Sequence, residues 1–189
     1  MTQKIHTPTL LIAMPTLMDP HFQKSVVLLV EHNKDGAMGF IVNRPSPTMV
    51  KDILYEHKGK DIPCELKAWV GGPIESDNGL ILHAGPSDDR QINLTSSPAI
   101  LQEMIQFTKE KKEDTPSEGI LYPYRFLTGY AGWGPLQLDE ELRLGAWIEA
   151  PCSNDILFNC KWESIWEESL AKCGAAPNSL IAQSQPFLN

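Results

Sequence analysis

Close cysteine pairs are missing from this sequence. Its four cysteines, Cys64, Cys152, Cys160 and Cys173, include no C-x-x-C. Zinc ribbons and thioredoxin-like sites need that spacing, so both readings fall away and buried reduced thiols are the expectation. Long apolar runs are missing too. Leu10-Leu11-Ile12-Ala13-Met14 is too short for a signal-peptide core and is cut by Pro15, and no segment approaches the roughly 20 apolar residues that span a bilayer. The expectation is a cytoplasmic protein with no membrane contact. Excess basic charge is likewise absent. The formal net charge is −8, and Lys109, Lys111 and Lys112 are interleaved with Glu110, Glu113 and Asp114, which reads as a solvated helix end. Direct nucleic-acid binding is therefore not expected.

Several catalytic signatures are also lacking. The chain has no G-x-x-x-x-G-K-[ST] phosphate loop, no H-E-x-x-H, no G-x-S-x-G and no kinase signature. No i,i+4 histidine pair or short His-x-His spacing supports a metal site, and neither a metal nor a cofactor is expected. Ser25 has no neighbouring base to make it a nucleophile.

What is present suits a globular chain. The 189 residues are 42% hydrophobic and 21% charged, which allows one compact unit or two small lobes and argues against disorder. Thr9 to Met14 reads as a first strand. Ser25-Val26-Val27-Leu28-Leu29-Val30 is apolar without alternation, as a strand covered on both faces requires. Asp35-Gly36 signals a type I′ turn, with Met38 to Val42 returning as the antiparallel partner. A short helix is expected over Ser46–Tyr55, and strands over Leu66–Val70, Leu80–His83 and Trp147–Ala150, with Ser76-Asp77-Asn78-Gly79 as a turn. Ser97-Pro98 opens a helix that reaches about Lys111. Leu121 to Thr128 is β-prone, and Pro135–Leu144 is helical. A last helix places Trp162, Ile165, Trp166 and Leu170 on one face and stops at Gly174. The fold class is α+β, with a mixed, largely antiparallel sheet flanked by helices. A lobe boundary near 112–119 is allowed, residues 1–174 form the domain, and 175–189 form a tail.

The sharpest local feature is Gly129-Tyr130-Ala131-Gly132-Trp133-Gly134. Its G-x-x-G-x-G order is not the dinucleotide fingerprint, and Trp133 and Pro135 sit where a phosphate turn wants small residues with free N–H groups. A strand-to-helix corner with packed aromatics explains it better; the alternative is a ligand pocket in which the Gly134 region opens a helix and Trp133 forms an apolar wall, with Tyr130 also a candidate ligand-binding position. Other candidate ligand-binding positions are Asn43 and Arg44 at a strand end, Gly71 and Gly72 as an anion nest, and His83 as a base. Against each stands a bland reading: a surface ion pair for Arg44, a tight strand exit for the glycines, and a satisfied or solvent-facing His83.

Taken in order, certain stretches resemble one family. They are Leu11-Ile12-Ala13-Met14-Pro15, Asp19-Pro20-His21-Phe22 with Ser25-Val26, and His32 to Val42 running into Asn43-Arg44-Pro45. Gly71-Gly72-Pro73 follows, then Gly129 to Pro135 with Gln137-Leu138 and Gly145-x-Trp147. The chain from about 8 to 170 is similar to the bacterial YqgE/AlgH family, also called UPF0301 or DUF179. Leu136 departs from it, standing where the family pattern expects a glycine, and Asp139 replaces a glutamate. The resemblance implies a compact cytosolic α+β protein with no established reaction and no agreed catalytic residues. Some members carry a transcriptional-regulator label linked to alginate control, but no basic recognition helix supports direct DNA binding here. Two functions stand against each other. One is a non-catalytic binding or regulatory protein acting through a protein partner or small ligand. The other is an enzyme with a pocket near Asn43, Arg44, His83 and Trp133.

Overall fold

The computed structural model describes residues 2–5, 8–54, 66–84, 92–97, 100 and 123–174. Its strands are β1 (Thr2–Ile5), β2 (Thr9–Ala13), β3 (Val26–Asn33), β4 (Gly36–Ile41), β5 (Pro45–Met49), β6 (Lys67–Val70), β7 (Ile74–Ala84), β8 (Ile92–Thr95), β9 (Tyr124–Trp133) and β10 (Trp147–Pro151). The helices are α1 (Val50–Ile53), α2 (Gln137–Arg143) and α3 (Ile165–Lys172), with a π-helical turn at Asp155–Asn159. One sheet runs β1-β8-β7-β9-β4-β3-β2-β10, and β6 joins it beside β9 while pairing β5 on its other side. Among the described residues, every strand pairing is antiparallel except β6 with β9. This is the α+β class with a mixed, largely antiparallel sheet.

The unbroken apolar runs of β2 and β3 are explained by cover on both faces. Leu10, Ile12, Val26 and Leu28 enter one cluster, which Ile156, Leu157, Ile165, Trp166 and Leu170 cap. Leu11, Ala13, Val27 and Leu29 enter the other, beneath Leu138 and Trp147. Leu10, Leu11, Ile12, Val26, Val27 and Leu28 are all fully buried. Each such side chain contributes about 1.5–3 kcal/mol of transfer free energy, so a charge placed at Val27 would unfold this centre.

Local expectations needed several corrections. The hairpin forms, but its loop is Lys34-Asp35, with Asn33 paired to Gly36. Neither loop residue takes positive φ; Gly36 does, at +138°. The turn is therefore not type I′ at Asp35-Gly36. The helix expected over Ser46–Tyr55 is mostly strand: β5 covers Pro45–Met49, and only Val50–Ile53 is helical. Pro45 and Pro47 lack N–H groups and hold their predecessors extended, which overrides the helical spacing of Met49 and Ile53. Ser76 to Gly79 lies within β7 and not in a turn, and the register with β9 shifts between Ile74 and Gly79. Residues 129–133 continue β9 as strand, so the corner falls later, at Gly134 to Leu136. Trp162 lies outside α3 and is 43% exposed, so it does not share that helix's buried face. Strands β1 and β8 had no counterpart in the sequence reading. The helix from Ser97, the boundary near 112–119, Cys64 and the tail from 175 lie outside the described residues.

Candidate functional site

Strand β9 is the element on which the motif segments meet. Its first half pairs β7 and β6, and its last three residues pair β4 through Ala37↔Trp133, Met38↔Gly132 and Gly39↔Ala131. Gly71 and Gly72 leave β6 directly against this strand. A Cβ on Gly72 would stand 2.0 Å from the Tyr130 carbonyl carbon, and one on Gly71 would stand 2.4 Å from the Gly129 oxygen. Close backbone approach therefore accounts for both glycines. The Gly71 N–H donates to the Thr128 carbonyl at 2.7 Å, so that donor is not free for an anion nest, and the Gly71 oxygen accepts from Ile41 N–H at 2.7 Å.

Asn43 and Arg44 project towards the loop before β3. Asn43 Oδ1 accepts the Val26 N–H at 2.9 Å while its Nδ2 donates to the Lys24 carbonyl at 2.9 Å, clamping both sides of Ser25. Lys24 holds φ of +53°, and the Asn43 bond to its carbonyl helps to hold that strain. Arg44 Nη1 donates to His21 O at 2.6 Å and Nη2 donates to Gln23 O at 3.3 Å. Partial burial lowers the Arg44 pKa, and the nearby Asp19 carboxylate offsets that to a smaller extent. The Arg44 carbonyl also accepts the Val70 N–H at 2.9 Å, tying β6 to the same point.

The pinned loop carries Phe22 into an aromatic cluster that the sequence reading did not foresee. Phe22 stacks on Trp133 with centroids 6.1 Å apart, and both meet Trp147 edge-on at 5.7 and 5.9 Å. Glu141 in α2 joins the two tryptophans: its Oε2 accepts Trp133 Nε1–H at 2.9 Å and Trp147 Nε1–H at 2.7 Å. Its Oε1 accepts from Gln137 Nε2 at 2.9 Å, and Gln137 Oε1 accepts the Gly134 N–H at 3.0 Å. A satisfied network of this kind fixes the corner after β9. The positive φ of that corner, +61°, belongs to Leu136. This is the position where a glycine was expected. No local spacing signals Glu141, which reads in sequence as one of three acids early in a helix.

Asn43, Arg44, Gly71, Gly72 and Tyr130 thus converge where β4, β6 and β9 meet, and Trp133 is linked to them through Phe22. His83 stands apart. It pairs with Tyr124, six residues back along β9 from Tyr130, or about 20 Å of strand. It is 9% exposed, its Nδ1–H donates to the Ala84 carbonyl at 2.9 Å, and its Nε2 is buried without a partner. Beside Trp133, under the hairpin, a cleft of about 250 Å³ is lined by Glu31, Asn33, Asp35, Gly36, Ala37 and Met38. The Glu31 carboxylate accepts from Asn33 Nδ2 at 2.6 Å, and the cleft's ionisable lining is wholly acidic. Among the described residues no group of three His, Cys, Asp or Glu side chains is placed to hold a metal.

A family model described as AlgH-like matches residues 10–178. The chain belongs to the AlgH-like family. A UPF0301 protein of Nitrosococcus oceani is 35% identical over 169 residues, covering 87% of each chain. Another, from Shewanella loihica, is 35% identical over 176 residues, covering 87% of this chain and 89% of its own. Among solved structures, the solution structure of the AlgH protein from Pseudomonas aeruginosa aligns with a TM-score of 0.68 at 29% identity, over 97% of this chain and 96% of that one. A crystal structure from Corynebacterium diphtheriae, with a TM-score of 0.59 at 18% identity, shares the fold. No helix among the described residues is long and apolar enough to cross a membrane.

Proposed function

We propose that this AlgH-like chain is a non-catalytic binding protein, regulating through a protein partner or small ligand in the cytoplasm. One observation carries the reading: the polar side chains best suited to chemistry, Asn43 and Arg44, are spent on backbone groups of the loop at 21–26. Among the described residues, a cleft that Trp133 helps to line lies open beside the family's glycine-rich segment. Its lining of Glu31 and Asp35 selects for cationic groups, such as an amine or a basic peptide segment, and repels phosphate. Duplex DNA is then a poor ligand for this face, as the charge of −8 also requires.

A thermal-shift screen with polyamines and other cationic metabolites, alongside a pull-down, tests the reading. Binding that Glu31→Gln and Asp35→Asn together abolish is expected, and two empty screens would remove the proposal. Gel-shift titration at physiological salt should show no DNA binding tighter than the non-specific level of about 10⁻⁵ M. Tighter, sequence-dependent binding would replace this reading with a direct transcriptional regulator.

A further inference from the structure

Arg125 on β9 is 6% exposed, yet no carboxylate pairs with it among the described residues. Its guanidinium carbon lies 4.2 Å from the ring centre of Trp69 on β6 and 5.9 Å from that of Phe158 in the π-helical turn. Nη1 donates to the Val42 carbonyl, at the end of β4. One carbonyl and two aromatic faces hold the group in place, but they leave most of its five N–H donors without an anionic acceptor. Buried charges are nearly always paired, because removing an ion from water costs several kcal/mol. Burial accordingly lowers the Arg125 pKa to about 10, with Cys160 a smaller opposing influence.

Cys160 is not the missing counter-ion. Its thiol donates to Glu168 Oε2 at 2.9 Å, and its pKa is pushed up to about 11 by partial burial, then by Glu168 and Asp155. At neutral pH the thiol is uncharged while the guanidinium is charged. The cover over the site is thin: Trp69, Phe158 and Cys160 are each only partly buried. A π-helical turn carries Phe158, and such turns are frequent at functional sites.

We propose that Arg125 is an anion-binding site for a small monocarboxylate, entering between Trp69 and the turn at Asp155–Asn159. The in-plane edge of the guanidinium turned away from Val42 matches the two oxygens of a carboxylate. Asp155 and Glu168 lie close enough to Cys160 to raise its pKa, and their negative charge opposes a phosphate dianion about twice as strongly as a monocarboxylate. The site lies on the face of the sheet opposite the Trp133 cluster, so it stands or falls independently of the acidic cleft.

The experiment titrates sodium propionate into the whole protein at constant ionic strength, with sodium chloride and sodium phosphate as parallel arms. The Arg125 Nε–H and Trp69 indole signals are followed in ¹H–¹⁵N spectra. Propionate should produce saturable shifts at both groups and raise Tm above the chloride arm, because it binds the folded state alone. Arg125→Met should abolish saturation, and Arg125→Lys, which lacks the planar fork, should weaken it at least tenfold. Absence of saturation in the wild type overturns the proposal, as does unchanged binding in either variant. Phosphate binding as tight as propionate overturns the monocarboxylate assignment. Should Arg125→Met fail to fold, Arg125→Lys and the wild-type Tm comparison still decide.

Discussion

Removing the Glu141 carboxylate tests the packing of the Gly129–Gly134 corner. Trp133 and Trp147 are 6% and 3% exposed, so their indole N–H groups have little access to water other than through the space Glu141 fills. Each bond to a charged acceptor is worth about 1.5–3 kcal/mol, and each orphaned buried donor costs about 1–3 kcal/mol. The two estimates describe the same loss and do not add. Glu141 is itself only half-buried, so a water molecule entering after truncation recovers part of it. Glu141→Ala should therefore destabilise the fold by about 3 kcal/mol, a fall of roughly 6–12 °C in Tm for a chain of this size. Glu141→Gln keeps one oxygen for the two indoles but loses the charge and the acceptor for Gln137 Nε2, an exposed bond that water replaces, and should cost about 1 kcal/mol. Urea unfolding followed by tryptophan fluorescence measures both, with an unchanged m-value showing that the effect lies in stability. Glu140→Ala, which breaks only an exposed pair with Arg143, is the control and should leave the midpoint where it was. A Glu141→Ala midpoint within about 0.5 kcal/mol of wild type would mean that the two tryptophans do not depend on this carboxylate, and would refute the reasoning.

Arg44→Lys should lose about 1–2 kcal/mol, since an ammonium cannot span both the His21 and Gln23 carbonyls, and near-UV circular dichroism should report a loosened Phe22–Trp133 stack. Gly72→Ala forces a Cβ to within 2.0 Å of the Tyr130 backbone and should cost more than about 2 kcal/mol by urea midpoint; a neutral result would show that β6 moves freely against β9. The Cys152 thiol is pushed up to about 12 by burial, from an ordinary value of 9.0. A raised folded pKa contributes stability that is complete below the unfolded value. That contribution is lost as pH rises from about 9 towards 12, so Cys152→Ala should flatten the alkaline limb of a stability-versus-pH curve.

How much of this was legible before folding follows from distance along the chain. The β3–β4 hairpin was legible because its two runs are separated by a short polar turn. The turn type was not, because Gly36 supports more than one loop register. The helix expected from Met49, Ile53 and Leu54 failed because two prolines in the preceding stretch outweighed the spacing. Asn43 and Arg44 were legible as special positions, but their partners lie 17 to 23 residues upstream in a loop whose path no local pattern specifies. Leu136 marks the opposite case. Its mismatch with a family glycine was visible in sequence, and it coincides with a left-handed backbone at φ +61°.

The sequence by itself determined the AlgH-like family, the apolar strands of the core and the glycine-rich segment as its most distinctive stretch. Those signals are local in composition and order. Tertiary structure alone decided that Gly72 meets Tyr130, that one Glu141 oxygen serves two tryptophans, and that Trp166 donates to the Ala13 carbonyl across 153 residues. It alone isolated Arg125 beneath Trp69. Such contacts depend on which strands become neighbours. That choice is made by burying all the apolar faces together, and no window of sequence contains it.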